Sequence, residues 1–120
     1  MGNPVTHWQI VSTQPDLAAK FYGKLFNWKI TAANALGYRV VETLNAKGIT
    51  GGIWPAPQGA TSLVQLFVEV ADVESYVQQA LELGGTVIVP TSALPDGDTM
   101  AVLLDPTGLP FGIVQHKAER

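Results

Sequence analysis

Few side chains in this sequence are suited to acid–base or metal chemistry, and His7 and Glu69 are the main candidates. An imidazole without perturbing neighbours titrates near neutral pH, so His7 could bind a metal or a proton through either ring nitrogen. Glu69, if enclosed in an apolar cavity, would favour its protonated form and could then act as a general acid or base. The ordinary alternatives are a cavity-wall histidine hydrogen-bonded to a neighbour and a glutamate at the rim in water.

Residues 63–70 predict a strand with two different faces. Alternation along a strand places Gln65, Phe67 and Glu69 on one face, and the aliphatic residues between them on the other. We expect the aliphatic face to pack under a helix and the first face to contact a ligand in a cavity. Trp54 ends another predicted strand, and its flat indole ring could stack on a flat ligand.

Composition and motifs exclude several classes of function. The net charge of −3 and the absence of a basic cluster argue against nucleic acids and anionic membranes as partners. Because there is no cysteine, disulfides, thiolate metal sites and cysteine nucleophiles are excluded. No phosphate-binding glycine loop and no nucleophile elbow occurs.

These candidates belong to a chain that repeats itself once. In each half an extended run precedes an amphipathic helix that an aspartate is expected to cap, Asp16 in the first half and Asp72 in the second. The second helix should end at Gly84-Gly85. Three more strands are predicted after each helix, at 28–31, 38–44 and 51–55 in the first half and at 86–90, 100–104 and 111–115 in the second.

Both halves therefore have the order βαβββ. The closest match aligns Gly48 with Gly108, and it places Asn45 and Asp105 at the same turn position. A Pro/Gly linker over 55–60 separates the halves. Because neither half could bury a sheet face alone, we expect one domain over 1–120, made of modules at about 5–55 and 62–115.

The duplicated βαβββ order, the run His7-Trp8-Gln9-Ile10-Val11 before the first helix and the turn Asp105-Pro106-Thr107-Gly108 resemble the vicinal oxygen chelate superfamily. This superfamily contains glyoxalases, bleomycin resistance proteins and extradiol dioxygenases. The resemblance covers nearly the whole chain and implies an α+β fold of paired modules, with curved mixed sheets around a cavity and helices outside.

The resemblance also implies where a metal would bind. Enzymes of the superfamily take four ligands from the first and last strands of the two modules, and the matching positions here are His7, Gly52, Gln65 and Gly112. Glycine offers no donor side chain, whereas a divalent metal needs three or four nitrogen or oxygen donors. No metal or other cofactor is therefore expected. Replacing Gly52 and Gly112 by glutamate should complete a set of four donors.

Two functions of the predicted site remain open from the sequence, besides a structural or regulatory role as the partner of another protein through the edge strands of the modules. The first is the binding of a small organic molecule without a metal, as in the bleomycin resistance branch, through His7, Trp54, Gln65, Phe67 and Glu69. The second is a lyase, isomerase or dioxygenase that uses a weakly held metal or Glu69 as a base.

The expected partner, besides the small ligand, is a second copy of the chain. Relatives of this length bring modules from two chains together, and symmetric pairing is the common form of such assemblies. No leader-like segment and no apolar run of about 20 residues occurs, which predicts a cytoplasmic protein.

Overall fold

The computed structural model describes residues 2–117, which form an α+β structure of eight strands and two helices. These residues divide into two compact units, one over Thr6–Gln65 and one that contains the remaining described residues. In chain order the elements are β1 (Val5–Ser12), α1 (Pro15–Phe26), β2 (Lys29–Ile30), β3 (Arg39–Glu42), β4 (Gly51–Pro55), β5 (Leu63–Glu69), α2 (Val73–Glu82), β6 (Thr86–Ala93), β7 (Thr99–Leu104) and β8 (Pro110–Gln115). The predicted duplication of the βαβββ order is confirmed.

The sheet of the first unit has the strand order β2-β3-β4-β1. Strand β1 runs parallel to β4, with Gln9 opposite Gly52, and β3 runs antiparallel to β4, with Val40 opposite Gly52. Val41 and Ile53 are fully buried in this sheet. Branched side chains suit these positions because they pack well on a pleated surface.

The sheet of the second unit has the matching order β6-β7-β8-β5, with β5 parallel to β8. Helix α2 packs on it through Val73 and Val77, which are buried with Val70, Ala101, Leu103 and Ile113. Strand β6 extends through Pro90 to Ala93 and is therefore longer than predicted. Proline fits there because β6 lies at the edge of this sheet and its pairing with β7 shifts register between Val89 and Ser92.

The two helices begin differently. Asp72 caps α2, since its side chain accepts a hydrogen bond from the backbone N–H of Ser75 at 3.3 Å. The predicted cap by Asp16 is wrong, because Gln14 holds the cap position of α1 and Asp16 lies inside the first turn, where it forms an ion pair with Arg39.

Helix α1 leaves much of its apolar face uncovered. None of its residues is buried, and Leu17, Phe21 and Leu25 are each more than half exposed. Their spacing of four residues aligns them in one stripe along the helix. Trp8 and Trp28 pack against each other beside the helix, with ring centroids 5.4 Å apart. Neither helix within residues 2–117 is long and apolar enough to cross a membrane.

The turns before the last strands of the two units confirm the match between Asn45 and Asp105. The Asn45 side chain accepts a hydrogen bond from the backbone of Lys47, and the Asp105 side chain accepts one from the backbone of Thr107. The hydrogen bond from the Thr107 hydroxyl, with those from the Leu109, Thr107 and Gly108 backbone, lowers the pKa of Asp105 against the opposing effect of burial.

Candidate ligand site

In the first unit, an aromatic side chain fills the space beside Gly52. A Cβ atom on Gly52 would lie 2.0 Å from the hydroxyl oxygen of Tyr38, so only glycine fits there without a shift of Tyr38. Strand pairing explains this approach, because Tyr38 directly precedes β3, which pairs with β4. Gly52, one of the four positions that match metal ligands of the superfamily, is thus covered by a phenol ring.

Tyr38 joins two of the residues predicted from the sequence. Its hydroxyl oxygen lies 3.1 Å from Nε2 of His7, and its ring contacts that of Trp54 with centroids 4.7 Å apart. His7 and Trp54 are both partly buried. The three side chains form a polar pair beside an aromatic surface, and the His7–Tyr38 pair can donate or accept a hydrogen bond according to the tautomer of His7.

The sequence did not single out Tyr38. The available signal was Gly52 itself, because a glycine inside a strand often marks the close approach of another group. Which group approaches depends on the register between β3 and β4, and a single sequence does not give that register.

In the second unit, Phe67 occupies the corresponding space. It lies opposite Gly112, and a Cβ atom on Gly112 would be 2.4 Å from its ring. Phe67 is 2% exposed and packs with Val102, Val114 and Met100. Phe67 is therefore part of an apolar floor, defined here by these four residues. Gln65, two positions earlier in β5, is partly buried.

Glu69 lies beside a histidine for which the sequence indicated no role. Its Oε1 is 3.5 Å from Nε2 of His116, whose other ring nitrogen, Nδ1, is 2.8 Å from Oδ2 of Asp98. The Glu69 side chain is 40% exposed, which places it in water rather than inside an apolar cavity. Of the two interpretations of Glu69, the structure therefore supports the rim position, with His116 as a neighbour.

The contacts of Asp98 change the titration of both partners. Burial acts to raise the pKa of Asp98, but the hydrogen bonds from the Lys117 backbone and the His116 ring outweigh it and leave the pKa below its usual value. The hydrogen bond to Asp98 raises the pKa of His116 against the effect of burial, and the charges of Asp98, Glu69 and Asp96 act in the same direction.

The residues present do not fit the four-ligand metal site of the superfamily. Of the four matching positions, His7 and Gln65 supply donor side chains, and the space at Gly52 and Gly112 is filled by Tyr38 and Phe67. Within residues 2–117, no group of three or more His, Cys, Asp or Glu side chains could hold a metal ion.

Comparison with known proteins decides the family. The sequence pattern of the glyoxalase-like domain matches residues 9–114, which is most of the chain. The chain belongs to the glyoxalase-like domain family. This glyoxalase-like domain is 30% identical over 111 residues to CFP32, a protein named as a glyoxylase, from Mycobacterium bovis and Mycobacterium tuberculosis. The match includes 87% of the chain but 42% of the length of CFP32.

Solved structures share the fold of the glyoxalase-like domain. The hypothetical protein BH1468 of Bacillus halodurans superposes with a TM-score of 0.70 at 15% identity, covering 100% of this chain and 99% of the other. Methylmalonyl-CoA epimerase of Mycobacterium tuberculosis superposes with a TM-score of 0.69 at 12% identity, covering 95% and 88%. The fold and the family together place the domain in the vicinal oxygen chelate superfamily, as the sequence resemblance implied.

Proposed function

We propose that this glyoxalase-like domain binds a small organic molecule and does so without a metal cofactor. The observation behind the proposal is the filling of both glycine positions, Gly52 by Tyr38 and Gly112 by Phe67. A carboxylate at either position would collide with a ring, and a bound divalent metal requires more donors than His7 and Gln65 offer.

The contacts in the first unit suggest the kind of ligand. Trp54 and Tyr38 provide aromatic surface, and the His7–Tyr38 pair provides a hydrogen bond within the same cluster. Binding sites for small molecules usually combine such apolar surface with a few fixed polar groups. We therefore propose that this cluster binds a ligand with a flat apolar body and one hydrogen-bonding group. In the second unit we propose Glu69, at the rim, as a ligand contact of its own.

An enzymatic function is the second candidate. It is favoured by the contact between Glu69 and His116, since a carboxylate next to an imidazole is a common arrangement in proton transfer. The relatives include a protein named as a glyoxylase and an epimerase. A lyase or isomerase reaction based on Glu69 would fit this arrangement.

Calorimetric titration with Ni²⁺ and Zn²⁺ tests the absence of a metal. We expect no stoichiometric binding by the unaltered domain, and none by G52E/G112E, because the new side chains meet Tyr38 and Phe67. Binding of one equivalent by the unaltered domain, lost in H7A and kept in the control H116A, would contradict the proposal.

A thermal-shift screen with small aromatic alcohols and amides tests the ligand class. A ligand that binds only the folded domain raises the melting temperature. We expect the shift to disappear in H7A and in W54A and to persist in W28F, because Trp28 packs beside α1 and not against Tyr38. Equal shifts in all variants would place the ligand elsewhere.

We also propose a symmetric homodimer formed through α1. The stripe of Leu17, Phe21 and Leu25 is exposed, and Asp16 and Lys24 lie in the first and last turns of the helix. When two copies of α1 pack antiparallel, Asp16 of one lies near Lys24 of the other, which favours this arrangement. A cavity of about 430 Å³ beside Leu17 and Phe21 gives space for side chains of the second copy.

A further inference from the structure

Three side chains from separate segments of the second unit form a chain of contacts. Glu69 ends β5, Asp98 directly precedes β7, and His116 directly follows β8. His116 lies between the two carboxylates, 2.8 Å from Asp98 through Nδ1 and 3.5 Å from Glu69 through Nε2. The sequence places these residues far apart, and only the pairing of β5, β7 and β8 brings them together.

Asp98 fixes the orientation of the imidazole. Its Oδ1 accepts a hydrogen bond from the backbone N–H of Lys117 at 2.9 Å, and its side chain is 16% exposed. Its own backbone is held in the turn, where its N–H donates to Asp96 and its carbonyl accepts from Leu94. A fixed carboxylate at Nδ1 keeps the proton on that nitrogen, as in other carboxylate–histidine pairs. The second proton of the imidazolium therefore lies on Nε2, which faces Glu69.

We propose that Asp98 and His116 are positioning residues for Glu69, and that protonation of His116 controls whether the Glu69 carboxylate is available to a ligand. When His116 is charged, its Nε2–H attracts the Glu69 carboxylate. When His116 loses that proton, a nitrogen lone pair faces the carboxylate, and Glu69 is released. It can then accept a hydrogen bond from a ligand hydroxyl or ammonium group. This inference deepens the proposed function, because it names the ligand group that Glu69 would contact.

The charges around His116 favour its protonated form. Asp96 and Asp98 face it from the turn before β7, Glu69 faces it from β5, and Lys117 follows it in the chain. The hydrogen bond to Asp98, together with the charges of Asp98, Glu69 and Asp96, raises the pKa of His116 against the effect of burial and so extends the pH range in which Glu69 is held. Release of Glu69 is therefore expected as the pH rises through the raised pKa of His116.

Nuclear magnetic resonance can follow this coupling directly. The chain has two histidines, so spectra of H7N and H116N assign both imidazoles. In the unaltered domain, the chemical shift of the Glu69 carboxyl carbon, assigned with E69Q, should show an inflection at the pH where His116 is half titrated. The midpoint of His116 should fall toward the ordinary histidine value in D98N and in E69Q. It should stay in place in the control E82Q, which removes an exposed charge of α2.

The absence of a His116 inflection in the Glu69 signal would overturn the proposal, and this titration is made on the unaltered domain, with variants used only to assign the signals. Equal shifts of the His116 midpoint in E69Q and E82Q would also overturn it, because they would indicate a general effect of charge. The titrations contain neither ligand nor metal. If the titrations show no coupling between His116 and Glu69, the proposed metal-free binding function is unaffected. If that binding function is contradicted, the coupling can still be measured.

Discussion

At the scale of single residues, one glycine in each unit determines what the matching strand position can hold. Gly52 and Gly112 occupy matching positions in the last strands of the two units, and each leaves space that an aromatic side chain enters. The surrounding rings differ, because Tyr38 comes from the loop before β3 whereas Phe67 belongs to β5. At both positions the ring takes the space that a carboxylate side chain would need, so the missing carboxylate and the neighbouring ring go together.

Gly112→Ala should destabilise the domain by about 1–3 kcal/mol, since its Cβ atom would overlap the buried ring of Phe67. Gly23→Ala is the matched control. Its Cβ atom would meet Ile30 at an ordinary distance of 3.5 Å, and alanine inside a helix is favoured over glycine by about 0.5–1 kcal/mol. Urea unfolding should therefore give opposite signs for the two variants. An unchanged midpoint for Gly112→Ala would mean that Phe67 can move aside.

The candidate site was predictable from the sequence only in part. Alternation along β5 predicted that Phe67 and Glu69 share one face of the strand, because a period of two follows from strand geometry alone. The contacts of Tyr38 with His7 and of His116 with Glu69 connect residues that are distant in the chain. They depend on strand register and on the loops before β3 and β7, which composition and periodicity do not determine.

At the scale of elements, local sequence predicted which strands and helices form and was less reliable at their ends. Asp72 and Asp16 both precede an apolar helical stripe, yet only Asp72 caps. The difference arises from Pro15, which is favoured at the first helical position and moves the cap back to Gln14. Strand β6 continues past Pro90, because an edge position tolerates the missing donor.

The two aspartates should therefore respond differently to substitution. Asparagine replaces aspartate well as a cap, so D72N should be tolerated while D72A costs about 1 kcal/mol. Asp16 acts through its charge on Arg39, so D16N and D16A should cost similar amounts. Urea unfolding at neutral pH would measure all four. Full tolerance of D16N, with loss in D16A, would show that Asp16 acts as a hydrogen-bond acceptor at the helix start after all.

At the scale of the whole molecule, the two helices differ although their modules share one order of elements. Helix α2 buries Val73 and Val77 against its own sheet, whereas α1 buries no residue and exposes a stripe of Leu17, Phe21 and Leu25. Exposed apolar patches on a small protein often mark an interaction surface. Covering the stripe of α1 with that of a second copy would remove it from water on both chains.

Light scattering at micromolar concentration should therefore report a mass near twice 12.8 kDa. Phe21→Glu should shift the protein to monomers, because it places a charge at the centre of the antiparallel contact, and it should leave the fold intact because Phe21 is 57% exposed. Leu83→Glu is the control, since Leu83 is 79% exposed, lies after α2 and is not part of the stripe. A dimer that survives Phe21→Glu would assign the interface to another surface. A monomer in the unaltered chain would mean that the stripe of α1 stays exposed to water. Its burial, at about 25 cal/mol per Å² of apolar surface, would then contribute nothing to association.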